Sequence, residues 1–227
     1  QRTDGIDREM SLFAAWNLMG SSKADTLCIT NEKGDLEGLI AVKDIANANM
    51  DIFDTRVIAE AKTKYSNIIQ TLKGSMVLGD PEARVETGKV VVGTTPEMME
   101  GAIEHNDTVL VTNRYETQRF AVESGAGLLI VCNGAQLSNV VVDAARANGC
   151  TVITTPYDTY AAARLISMSI PVRAKMLDAQ DVLRFSVNTT VDDARKTITQ
   201  SRHRFFPVLD EDGHYCGLVS TPNLLNV

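Results

Sequence analysis

One pattern occurs near each end of this 227-residue chain, and it limits the possible folds more than any other feature. The stretch from Ala15 to Gly34, continued by Leu36-Glu-Gly-Leu-Ile-Ala-Val-Lys-Asp-Ile45, returns as Ala194 to Gly213, continued by Tyr215-Cys-Gly-Leu-Val-Ser-Thr-Pro-Asn-Leu224. Both copies read as a helix, a short polar or basic link and an apolar strand. A glycine-containing acidic turn, a second strand and a new helix follow. Asn31-Glu-Lys-Gly34 and Asp210-Glu-Asp-Gly213 are hairpin signals between apolar runs. Thr190, followed by Asp192 and Asp193, predicts a helix start, because a hydroxyl caps free N–H groups and acidic residues suit the positive helix end. Ser11 is placed to do the same before Leu12.

The segment between the copies is built differently. Gly88-Lys-Val-Val-Val-Gly93, Asp107-Thr-Val-Leu-Val-Thr112, Gly127-Leu-Leu-Ile-Val-Cys132 and Gly149-Cys-Thr-Val-Ile-Thr154 are short, continuous apolar runs. Such runs predict strands buried on both faces. Residues 96–105, 115–123, 138–148 and 157–167 have helical composition. Strands alternating with helices predict a parallel sheet. The expected organisation is therefore repeat, α/β insert, repeat.

Charge and cysteine usage narrow the function. Twenty-two basic residues stand against 29 acidic ones, a net charge of −7, so a broad nucleic-acid footprint is unsupported. A small anion can still be held by a local basic cluster. Cys28, Cys132, Cys150 and Cys216 show no zinc-ligand spacing, and Cys28 and Cys132 lie inside apolar runs. They are expected to be reduced core residues of a cytoplasmic protein. No apolar run reaches the roughly 18 residues of a membrane span. The absence of an initiator methionine suggests a piece of something longer.

The end repeats resemble CBS modules, β-α-β-β-α units that pair to bind adenine nucleotides. Gly217-Leu-Val-Ser-Thr-Pro-Asn223 is close to that family's ribose–phosphate signature, with Asn223 where an aspartate is usual. Gly38-Leu-Ile-Ala-Val-Lys-Asp44 keeps the aspartate but has Ala41 in place of the hydroxyl. The insert resembles a DRTGG domain through Asn113-Arg-Tyr-Glu-Thr117 and Cys132-Asn-Gly134. Together with Ile45–Met50, Gly149–Ile153, Thr155–Thr159 and Ala163–Ser167, the order CBS, DRTGG, CBS resembles the regulatory region of CBS-containing family II inorganic pyrophosphatases.

The resemblance implies an α/β chain. CBS modules at 1–62 (truncated at its start) and 173–227 form a pair around a DRTGG-like α/β insert at 63–172 with a mainly parallel sheet. It also implies a homodimer through the CBS modules and the insert, joined to catalytic domains near Gln1 and Val227. AMP and ADP are expected to inhibit the parent pyrophosphatase, and ATP or a diadenosine polyphosphate to activate it. That family's Asp-His-His triplet is missing, since His105, His203 and His214 are isolated from one another. No catalysis is therefore expected in this chain, and manganese or magnesium is expected only in the parent's catalytic domain.

A nucleotide needs an apolar slot for adenine, acceptors for ribose hydroxyls, and donors or positive charge for phosphate. Asp44 and Asn223 can accept from ribose. Ser220 and Thr221 begin a helix, where hydroxyl and N–H groups favour an anion. Arg202, His203 and Arg204 form the densest cationic spot, and guanidinium pairs with phosphate bidentately. In the first copy Ser22 and Lys23 occupy the matching link, with Lys23 aligned to His203. Each residue also has a structural reading: solvated arginines, a helix-capping Ser220, glycines that allow close strand packing. A dimerisation spacer with decayed nucleotide sites, and a domain associated with acyl or phosphate transfer, are the alternative functions.

Overall fold

The computed structural model describes residues 4–51 and 54–225, so the expected junctions at Gln1 and Val227 lie outside the described residues. The chain begins with α1 (Leu12–Ser22), β1 (Thr26–Thr30), β2 (Leu36–Ala41) and α2 (Val42–Met50). It continues through α3 (Val57–Glu60), α4 (Tyr65–Thr71), β3 (Ser75–Leu78), β4 (Val90–Val92), α5 (Pro96–Met99), β5 (Thr108–Val111) and α6 (Tyr115–Glu123). Next come β6 (Leu128–Val131), α7 (Asn139–Ala147), β7 (Thr151–Thr154) and α8 (Thr159–Leu165). The last elements are β8 (Leu177–Asp178), β9 (Phe185–Ser186), α9 (Val191–Thr199), β10 (Phe205–Leu209), β11 (Tyr215–Ser220) and α10 (Thr221–Leu225).

The chain divides into two compact units. One contains residues 11–14 and 47–171, the other residues 1–10, 15–46 and 172–227.

The unit built on residues 47–171 has a five-stranded sheet in the order β3-β7-β6-β5-β4. Strands β4 to β7 are mutually parallel, as their continuous apolar runs predict, and β5 and β6 are buried along their whole length. Antiparallel β3 caps the edge beside β7. On one face Val109, Val111, Leu129, Val131 and Val152 pack against Val122 of α6 and Val141 and Ala145 of α7. Helix α8 packs on β4 and β5. The helix expected over 96–105 stops at Met99, because Glu100 turns extended (ψ 121°) and Gly101 takes a left-handed φ of +75°. Asp107, wholly buried before β5, accepts from the N–H groups of Lys89 and Glu104 and from Lys89 Nζ at 2.8 Å.

The other unit holds both repeats as two three-stranded sheets, β1-β2-β8 and β11-β10-β9. Their hairpins share one register: Thr26 pairs with Ala41 and Phe205 with Ser220, and each ladder breaks at the same step, Ile29/Thr30 and Val208/Leu209. In each, the turn Asx side chain, Asn31 or Asp210, accepts backbone N–H groups two and four residues on. Gly34 and Gly213 end the turns at φ +84° and +85°.

The opening strand of the first repeat survives as a bridge: Ile6 pairs in parallel with Ile29, as Phe185 of β9 does with Val208. Gly38 meets β8 so closely that a Cβ there would lie 2.5 Å from the Leu177 carbonyl oxygen. This glycine therefore serves strand packing. Thr190 caps α9 by accepting from Asp193 N–H, and Ser11 accepts from Ala14 N–H ahead of α1.

Candidate functional site

Four of the nine residues singled out from sequence form one hydrogen-bonded corner of the second repeat. The end of the β10–β11 ladder sets Arg204 beside Thr221, whose N–H and hydroxyl both donate to the Arg204 carbonyl, at 2.9 and 3.3 Å. Asn223 Oδ1 then accepts from the Ser220 N–H at 3.2 Å and from the Ser220 hydroxyl. The Arg204 and Arg202 guanidinium groups are exposed and have no ion-pair partner among the described residues. His203 is exposed in the same link, which is held by its N–H donating to Ser201 Oγ.

The first repeat builds the same corner from different side chains. Val42 N–H donates to the Asp25 carbonyl at 3.0 Å, as Thr221 does to Arg204. Asp44 Oδ2 accepts from the Ala41 N–H at 2.8 Å, as Asn223 does from Ser220. Aspartate and asparagine are therefore interchangeable as the cap of this corner, but what each has left over differs. Asp44 keeps a second carboxylate oxygen without a partner among the described residues, an acceptor for hydroxyls, whereas Asn223 keeps an amide NH2 donor.

The shared register corrects one alignment: Lys23 matches Arg202, Ala24 matches His203, and Asp25 stands where the second repeat has Arg204. The Ser22 hydroxyl is engaged with its own helix, donating to the Leu18 carbonyl at 2.6 Å.

Lys23, left-handed at φ +54°, closes α1 and lines a cleft of about 370 Å³ with Trp16, Met19, Gly20, Ala24, Asp25 and Val42. That volume lies within the range of small-molecule sites. Trp16, about half exposed, supplies an aromatic face there. Sequence reading passed over Trp16 and Asp25; the available signal was the chain's only tryptophan, four residues after the start of α1.

The DRTGG-like residues lie at the carboxyl ends of β5 and β6 and act as braces. Thr117 donates to the Thr94 carbonyl at 2.7 Å, Gln118 donates to that of Thr112 at 2.6 Å, and Arg119 pairs with Glu123. Asn133 and Gly134 take consecutive left-handed conformations, with their N–H groups donating to Tyr157 and Thr155. Asp210, Asp212 and His214 bring ligand-type atoms within 4.8 Å of one another, but Asp210 Oδ1 is already occupied by the turn's N–H groups. No helix among the described residues is long and apolar enough to cross a membrane.

Comparison with known proteins places these features. A model of the DRTGG domain matches residues 67–169 and one of the CBS domain matches residues 174–227. The chain is 31% identical over 219 residues to a cobalt-dependent inorganic pyrophosphatase of Clostridium perfringens, covering 96% of this chain and 40% of that protein. It is 26% identical over 194 residues to a probable manganese-dependent inorganic pyrophosphatase of Thermotoga maritima, covering 85% of this chain and 35% of that one. The chain thus spans well under half the length of both relatives. The solved CBS and DRTGG domains of the C. perfringens pyrophosphatase regulatory region, complexed with the activator diadenosine tetraphosphate, superpose with a TM-score of 0.90 at 30% identity. That match covers 97% of this chain and 96% of the other.

Proposed function

The chain belongs to the family of CBS–DRTGG regulatory regions of inorganic pyrophosphatases, and from that membership we propose that it binds adenine nucleotides through its paired CBS modules and so regulates a pyrophosphatase of which it is a part. The observation that carries this reading is the corner of Arg204, Ser220, Thr221 and Asn223, where the Arg202 and Arg204 guanidinium groups, without an ion-pair partner among the described residues, stand beside hydroxyl and amide groups. Arg202 and Arg204 would hold phosphate, Asp44 the ribose hydroxyls, and Trp16 with Met19 the base. Lys23 adds charge from the first link.

Catalysis belongs to other parts of the parent protein, together with its manganese or magnesium. The chain acts as a cytoplasmic homodimer in contact with those catalytic domains. A ligand shifts such an assembly only by binding one arrangement better than another. AMP or ADP would favour an inhibited packing of the CBS modules. ATP or a diadenosine polyphosphate, long enough to span two phosphate sites, would favour an active one. Calorimetry with AMP and diadenosine tetraphosphate tests the reading, and saturable heat is expected from both. Absence of heat from both ligands would leave the chain without a nucleotide function.

The second reading is a dimerisation spacer with decayed sites. It is favoured by Asp25 standing in place of Arg204 and Ala41 in place of Ser220. In a spacer, Arg204→Ala and Asn223→Ala leave the behaviour of the chain unchanged, whereas nucleotide affinity falls under the first reading.

A further inference from the structure

At the amino ends of its parallel strands the insert encloses a cavity of about 150 Å³ that has no part in the nucleotide corner. The strand register builds its floor. Thr108, Leu128 and Thr151 form the first rung of β5, β6 and β7, so their side chains share one face of the sheet. It is the face opposite Val109, Leu129 and Val152, which pack under α6 and α7. Tyr65, the first residue of α4, lines the cavity and hydrogen-bonds the Thr151 side chain. Arg84, Glu86 and Asn106 contribute to the wall.

Thr108 lines this cavity and is only 2% exposed, yet its hydroxyl has no hydrogen-bond partner among the described residues. Buried hydroxyls are almost always paired, so an orphan facing a cavity marks a place for a polar guest. Asn106 Nδ2 donates to Thr87 Oγ1 at 3.1 Å, and an amide has a second N–H and a carbonyl oxygen to offer besides.

Charge narrows the class of guest. The lining carries one charge of each sign, Arg84 and Glu86, two residues apart. Arg84 Nη1 donates to the Lys62 carbonyl at 2.9 Å, and Glu86 pairs with Lys62 Nζ at 3.0 Å. A guanidinium has five donors and a carboxylate about four acceptor sites, so such contacts exhaust neither. A small anion would be repelled by Glu86 and a small cation by Arg84, whereas a molecule bearing both charges suits both. The volume lies well below the 300–1,000 Å³ of drug-sized sites, which excludes a nucleotide.

We propose that this cavity is a ligand site of the DRTGG domain for a small polar α-amino acid, its carboxylate on Arg84, its ammonium on Glu86 and its side chain against Thr108 and Asn106 above Leu128. The proposal is independent of the nucleotide-binding reading.

Thermal unfolding and calorimetry of the chain with L-serine, L-asparagine, acetate, methylammonium and inorganic phosphate test it. A ligand of the folded state raises the unfolding midpoint, and one of the two amino acids is expected to do so saturably while the singly charged compounds do not. Thr108→Val removes only the orphan hydroxyl, and Glu86→Gln alters an exposed side chain, so both variants should unfold near the wild-type midpoint. Each is expected to bind the amino acid about 10-fold more weakly, and Thr108→Ser to bind it like the wild type. Stabilisation by acetate or phosphate equal to that by the amino acids overturns the assignment in favour of a plain anion site. No response to either amino acid, or variants that bind as tightly as the wild type, overturns it outright.

Discussion

The backbone N–H of Tyr215 donates to the carbonyl oxygen of Gly34 at 2.9 Å, so the hairpin of one CBS module is bonded to the hairpin turn of the other. The His214 ring lies over the same glycine, 3.7–3.8 Å from where a Cβ would stand, and between Asp35 and Asp210, at 3.8 and 3.9 Å. A residue chosen for turn geometry thus also receives the partner module. Gly34 and Gly213 share the same left-handed φ, but a Cβ at Gly213 would meet open space.

This pair of glycines separates turn strain from module contact. Gly213→Ala is expected to cost about 1 kcal/mol, the penalty of a side chain in a left-handed conformation. Gly34→Ala carries the same strain, but its methyl group gains ordinary van der Waals contact with the His214 ring at 3.7–3.8 Å, so it should cost somewhat less in chemical denaturation. Equal costs would mean that the contact between the hairpins adds no stability.

Asp107 gives the insert an acid-sensitive anchor. Burial alone would raise its pKa, but the Lys89 ammonium and the N–H groups of Lys89 and Glu104 overcome that and hold it below the usual carboxylate range. A lowered folded pKa gives stability that is fully present above the unfolded value of about 3.9 and is lost as pH falls through the folded pKa. Asp107→Asn should destabilise the insert by about 2–3 kcal/mol near neutral pH, because it leaves Lys89 without its buried partner. It should also flatten the acid limb of stability against pH. An acid limb identical to that of the wild type would locate the sensitivity in other carboxylates.

The cysteines should separate by burial. Burial pushes the thiols of Cys28 and Cys150 up to about 12 and that of Cys132 up to about 11. A thiol must ionise to react, so these three should resist a disulfide reagent at pH 8 in the folded protein. Half-buried Cys216 should react first, and all four should react in denaturant. Rapid native labelling of Cys28 would mean that the face between the modules opens readily, since Cys28 packs there with Tyr215.

What the sequence revealed and what it hid follow from the range of the forces involved. The turns at Asn31–Gly34 and Asp210–Gly213, the caps Thr190 and Ser11, and the three strands starting at Thr108, Leu128 and Thr151 are local, and each was readable from its own residues. Strand β3 was not, because alternately exposed Ser75–Leu78 is a strand only by pairing with Thr154, Ile153 and Val152 far along the chain. The two-residue strands β8 and β9 are likewise created by their partners. At the site, the corner around Ser220 was legible because its hydrogen bonds join neighbours in sequence. Asp25 was hidden, since only the register shows that it stands where the second repeat has Arg204.

Lys23 tests binding against structure, because the two roles predict opposite signs. As a non-glycine residue at φ +54° it is strained by about 1 kcal/mol, and Lys23→Gly should relieve part of that strain and raise the unfolding midpoint. If its exposed ammonium also serves the nucleotide phosphate, the same substitution removes a solvent-screened ionic contact worth about 1 kcal/mol, so affinity should drop roughly fivefold. A more stable protein that binds more weakly is the expected outcome, read by thermal unfolding and calorimetry on one sample. Rising stability with unchanged affinity would confine Lys23 to ending α1. Phosphate recognition would then fall to Arg202 and Arg204 across the pair, where the guanidinium groups have no competing carboxylate among the described residues.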